Sequence, residues 1–147
     1  MNKLSNGENY LSQLKITSIS IYKASFEIKK LIPNNQQLEI QVALKPNINI
    51  SKSENTSDNQ TSIVDLNISV NLKNKDISFV EVNLSINGSF IGENMNEQQF
   101  IKLVKFSGVS NLIQISRSYI ISMTSQLGII PPIVLPMINL EELYKNT

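Results

Sequence analysis

A chain of 147 residues, 41% hydrophobic and 17% charged, is sized for a single domain with a sizeable core. Its 13 Lys+Arg against 12 Asp+Glu leave a net charge of +1, and Arg117 is the lone arginine, so phosphate-fork recognition of nucleic acid is nearly out of reach. Cysteine and histidine are both absent, which removes disulfides, thiolate nucleophiles, imidazole acid–base chemistry and the usual zinc ligands.

The first segment, MNKLSNGENYLSQ (residues 1–13), lacks the apolar core of a signal peptide. No apolar run in the chain approaches the roughly 20 residues of a membrane span. A flexible N-terminus, a cytoplasmic address and no membrane insertion are expected. Leu14 to Ile28 alternates with two changes of phase: Leu14 and Ile16, then Ile19 and Ile21, then Phe26 and Ile28. Each change needs an extra residue, so bulges are expected near Thr17-Ser18 and near Lys23-Ser25, and bulges favour an edge strand. Lys29 to Gln37 is a crossover with Leu31 and Ile32 beside Pro33.

Three segments then alternate strictly: Leu38, Ile40, Val42 and Leu44; Val64, Leu66, Ile68, Val70 and Leu72; Val80, Val82, Leu84 and Ile86. Branched residues on one side and polar ones on the other mark half-buried antiparallel strands. The polar stretch Ser51 to Thr61 is read as a mobile loop, and Lys73-Asn74-Lys75-Asp76 as the tight turn of a hairpin.

Beyond Phe90 the period changes from two to three and four. Asn96 to Phe106 reads as a short helix or turn. Ser110 is the expected N-cap of a long helix carrying Leu112, Ser116, Tyr119, Ile120, Met123 and Leu127 on one face, with Gly128 as its left-handed stop. Three prolines within six residues forbid a helix over Ile129 to Pro136, so that run is an extended apolar connection. Asn139 caps a short last helix with Glu141 and Glu142 in its first turn. The result is one α+β domain over 1–147: a four-stranded antiparallel sheet followed by one long and one short helix.

No catalytic set emerges. Asp58, Asp65 and Asp76 fall on loop, outer strand face and turn, no Gly-rich phosphate loop is present, and no enzyme, metal or cofactor is expected. Arg117, on a mostly apolar helix, is expected to make a structural ion pair or interface contact. The chain leaves apolar surface that one helix does not cover, chiefly in the crossover and the Ile129 to Met137 linker, and such surface generally signals partners.

The stretch Gly108 to Tyr144 resembles the C-terminal half of the SecB family of protein-export chaperones, through Arg117, Ile121, Ser122 and Met123, then Pro132, Leu135, Asn139 and Leu140, and the Leu140-Glu-Glu-Leu-Tyr144 finish. Ile19 to Glu27, with its Ser25-Phe26-Glu27, is similar to that family's first strand, and Gly88-Ser89-Phe90 to the close of its fourth. The resemblance implies a homo-oligomer, a tetramer built as a dimer of dimers, that binds unfolded polypeptide without nucleotide or catalysis. The implied partners are unfolded preproteins, or one dedicated client such as an antitoxin. A non-chaperone oligomeric adaptor on the same fold is the remaining alternative.

Exporting members dock the motor SecA through carboxylates on the outer sheet face. The corresponding positions here are Lys23, Glu27, Glu81 and Asn83, leaving Glu27 and Glu81 as the acids of such a face. The client groove is expected at Leu31, Ile32, Val42, Ile115, Ile130, Ile133 and Val134, between crossover, sheet edge and Pro-stiffened linker. Ile133 is expected to face solvent and Val82 to face the core.

Overall fold

The computed structural model describes residues 13–33, 37–52 and 59–146. Four strands form one antiparallel sheet: β1 (Leu14–Ile28), β2 (Glu39–Lys52), β3 (Asn59–Asn74) and β4 (Ile77–Glu93), in the order β1-β4-β3-β2. The β3–β4 hairpin closes through Lys75, whose φ of 54° gives the left-handed residue that a tight turn needs. β1 crosses the sheet end to pair with β4 and is an edge strand, as its phase changes imply. Its register slips between Ile16 and Ser18 and between Ile21 and Lys23, so the bulges fall at Thr17 and Tyr22. The first lies where the alternation puts it. The second comes just before the expected site.

Period two sorts the two faces. Even-numbered residues of β3 and β4, from Val64 to Leu72 and from Val80 to Phe90, point inward and form most of the core. Asparagines, serines and scattered charges occupy the outer face. The expected loop over 51–61 is corrected at both ends: Ser51 and Lys52 pair with Thr61 and Gln60 as strand. Polar Gln60 and Ser62 are buried on the inward face, which hides the strand from a hydrophobicity pattern. The expected flexible segment 1–13 lies outside the described residues except Gln13, as does the middle of the expected loop.

Most of the helical half is one continuous rod. α1 (Glu97–Leu103) is capped by Asn96, whose side chain accepts the Gln99 amide at 2.8 Å. A π-helical turn, Val104–Gly108, carries it without a break into α2 (Val109–Gln126). Ser110 is therefore not an N-cap but lies inside the rod, a correction to the sequence reading. The π turn lies over Phe90, and a Cβ on Gly108 would sit 3.2 Å from that ring, so glycine allows the close approach. Leu112, Ser116 and Ile120 are fully buried against the sheet, with Val109 and Thr124. Gly128, at φ 84°, ends the helix as expected.

α3 (Leu140–Lys145) is capped by Asn139, which accepts the Glu142 amide at 3.2 Å. Tyr144 anchors it to the π turn: its hydroxyl donates to the Lys105 carbonyl at 2.6 Å, and its ring meets Phe106 edge-on at 5.6 Å. Burial pushes the Tyr144 hydroxyl pKa up to about 12. Among the described residues, no helix is long and apolar enough to cross a membrane.

Candidate apolar groove

The 129–137 linker decides the site. Its residues alternate although no strand pairs with them: Ile129, Ile133 and Leu135 are buried, whereas Ile130, Val134 and Met137 are exposed. Three polar anchors hold this phase. The Ile129 amide donates to the Thr124 carbonyl at 3.0 Å, and the Ile133 amide to the Thr124 hydroxyl at 3.0 Å, while that hydroxyl donates to the Ile120 carbonyl at 2.7 Å. Arg117 completes the clamp, with Nε on the Leu135 carbonyl at 2.7 Å and a terminal nitrogen on the Pro136 carbonyl at 3.0 Å. The lone arginine thus serves a structural role, but through carbonyls of its own chain rather than the expected ion pair or interface contact.

With the linker so held, a groove of about 670 Å³ opens between it, the crossover and the near end of β2. Leu31, Ile32, Ile130 and Ile133 all line it, together with Ile28, Leu38, Ile40, Leu127 and three prolines. Leu31 and Ile130, 91% and 87% exposed, form its rim. Ile133 forms its floor rather than its wall: at 3% exposed it belongs to the core, and the expectation that it faces solvent is corrected. The cause is the phase of the linker, set at Thr124.

The other three residues lie elsewhere. Val42 is on the inward face of β2, opposite Val70 and half-buried, one step along the strand from groove residue Ile40. Ile115 is exposed on α2, 12 residues before Leu127 and hence roughly 18 Å along the axis. Val134 is half exposed on the opposite side of the linker from Ile133 and Leu135. The sequence reading missed Ile28, Leu38, Ile40 and Leu127. Their shared signal is position at the ends of elements, where the inward phase outlasts the cover of the helix.

The lining side chains are aliphatic or proline, so they offer non-directional contact, while backbone groups supply the polar part of the lining. No cluster of metal-ligating side chains exists among the described residues. On the outer sheet face, Glu27 and Glu81 are cross-strand neighbours on β1 and β4, with Lys23 and Asn83 on the same face. Glu81 is engaged: Lys29 Nζ lies 2.7 Å from its carboxylate, lowering the Glu81 pKa and raising that of Lys29 chiefly through this hydrogen bond.

The SecB family model, described as preprotein translocase subunit SecB, matches residues 7–147. The chain belongs to the SecB family. The SecB architecture recurs in a Mycobacterium tuberculosis SecB-like chaperone in complex with a ChAD peptide from the HigA1 antitoxin, at TM-score 0.67 and 15% identity, covering 85% of this chain and 90% of that one. A Streptococcus agalactiae protein of unknown function matches at TM-score 0.54 and 10% identity over 84% of this chain and 97% of that one. No curated protein matches the sequence. Membership makes this SecB-like chain a chaperone by family, of a kind that performs no catalysis.

Proposed function

We propose that this SecB-like chain is an ATP-independent holdase that keeps polypeptide segments unfolded by covering their apolar side chains. The groove carries the reading: its rim residues Leu31 and Ile130 are, with Met137, the most exposed large hydrophobics among the described residues. Contact of that kind gains roughly 25 cal/mol per Å² and asks for no fixed sequence, which suits an unfolded client. The prolines and the Arg117 and Thr124 anchors pre-set the linker, so little conformational entropy is lost on binding. The oligomer, a tetramer by family analogy, would set several such grooves around one client.

Between general export and a dedicated client, one observation favours the dedicated client. Among the described residues the outer face offers SecA no acidic patch: Glu81 is tied to Lys29, and Lys15 and Lys23 share that face with Glu27 and Glu93. The Mycobacterium tuberculosis neighbour binds a peptide from an antitoxin, an occupant of the dedicated kind. The test is light scattering of several unrelated unfolded proteins, without nucleotide, with the protein at equimolar and tenfold excess. A holdase suppresses scattering for all, a dedicated chaperone mainly for proteins captured with it from its own cell, and failure with every substrate refutes both.

A further inference from the structure

We propose that the outer sheet face carries a second docking site, for an extended acidic segment with two carboxylates four residues apart. The side away from the helices holds a hollow of about 560 Å³, floored by small and amide side chains and flanked by Lys23 and Lys45. The register makes it a single cross-strand row. Lys23 of β1 pairs with Ser85 of β4, Ser85 with Asn67 of β3, and Asn67 with Lys45 of β2.

The adjacent row on one side, Ser25-Asn83-Ser69-Ala43, is all small or neutral, whereas on the other side Tyr22 extends its hydroxyl over β4 to Asp65 and Ser85. Neither lysine has an ion-pair partner among the described residues, in contrast to Lys15, Lys29 and Lys145. Within the row the Ser85 hydroxyl donates to Asn67 Oδ1 at 2.6 Å, which leaves the Asn67 amide nitrogen as a donor facing the hollow.

Of the nearest acids, one is ion-paired and one keeps its charge beside the hollow. Asp65, on the row beyond, accepts the Tyr22 hydroxyl at 2.7 Å, and Glu81, two rows the other way, holds Lys29 at 2.7 Å. Glu27 pairs with Glu81 across β1 and β4 and shares that farther row. The hollow therefore holds two ammonium groups without ion-pair partners and donors along its floor, with the single Asp65 carboxylate on the row beside it, and its complement is an anionic strand rather than an apolar one.

Spacing sets the class of ligand. Lys23 and Lys45 stand three strand steps apart, roughly 14 Å, and four residues of extended chain cover roughly 13–14 Å. Residues i and i+4 of an extended segment also project to the same side, so both carboxylates can reach a lysine while residue i+2 meets the amide and hydroxyl floor. The segment would run across the strands. A helix carrying the same pair would span only about 6 Å and reach one lysine at a time.

The site is independent of the apolar groove, which lies on the other face of the sheet. The test is fluorescence anisotropy of a labelled peptide holding Glu at i and i+4 among Ser and Thr. Controls are the same composition with the two Glu adjacent, the peptide with both changed to Gln, and inorganic polyphosphate. The spaced peptide is expected to bind at least tenfold more tightly than the adjacent one, with affinity falling as salt rises. Lys23→Glu and Lys45→Glu are each expected to weaken it at least tenfold. Lys102→Glu, the same charge change on α1, should leave it unchanged, and all three variants should keep the wild-type thermal midpoint. Equal affinity for spaced and adjacent peptides, tighter binding of polyphosphate, or indifference to Lys23→Glu and Lys45→Glu would overturn the proposal.

Discussion

Ile130 and Ile133 are the same residue type three positions apart in one linker, and truncating each to Ala should have opposite consequences. Ile133 is 3% exposed, its amide is tied to Thr124, and its side chain meets the core. Ile133→Ala leaves a cavity, so a cost of about 2–5 kcal/mol is expected. For a chain of this length that lowers the thermal midpoint by roughly 4–20 °C. Ile130 is 87% exposed and leaves no cavity, so Ile130→Ala should change stability by no more than about 0.5 kcal/mol. Its loss should appear in client affinity instead. Removing three carbons at about 0.8 kcal/mol each sets an upper bound of ~2.4 kcal/mol, roughly 60-fold, when the client covers the side chain fully. Thermal melts with oligomer mass, and titration of an unfolded client, read the two effects separately. A drop in midpoint for Ile130→Ala with Ile133→Ala unaffected would show that the linker phase is reversed.

Four further outcomes follow from the same packing. Thr124→Val keeps the volume but leaves the buried Ile133 amide without its acceptor, costing about 1–3 kcal/mol, visible as faster hydrogen exchange at Ile133. Arg117→Met frees the carbonyls of Leu135 and Pro136 and should open the linker to limited proteolysis before the sheet unfolds. Gly92→Ala would place a methyl 2.5 Å from the Phe100 ring and 2.8 Å from the Met95 sulfur, so chemical melts should show about 1–3 kcal/mol lost to overpacking. Tyr144 ionises near pH 10 when unfolded and near 12 when folded, so its contribution to stability is present below pH 10 and is lost as pH rises from 10 to 12. Tyr144→Phe should flatten that part of a stability-against-pH curve.

The sheet was legible wherever one face is branched and the other polar, as in Val64 to Leu72 and Val80 to Ile86, because burial on one side enforces period two. It was illegible where inward positions are polar: Gln60 and Ser62 are buried, so β3 began earlier than its hydrophobic pattern. The Ser110 cap failed because a π turn lets a helix run through a residue with cap chemistry, whereas the true cap, Asn96, sits before a polar first turn with little periodicity. For the groove, composition located the linker and crossover but not the phase of the linker. A serine- and threonine-bearing helix facing an apolar linker carried that information in Thr124, whose hydroxyl fixes Ile133 inward. Lys23 and Lys45 were invisible as a pair, since 22 residues separate them in sequence and only the strand order β1-β4-β3-β2 sets them on one row.

The most direct test of the holdase reading is site-specific photocrosslinking to an unfolded client in the absence of nucleotide. A photoreactive residue replaces Leu31 on the groove rim or, as a control of similar character, Ile63, which is 51% exposed on the outer face. The account predicts efficient crosslinking from position 31, competed by unlabelled unfolded protein, and little from position 63. Crosslinking from position 63 with none from position 31 would contradict it, placing the client on the opposite side of the sheet.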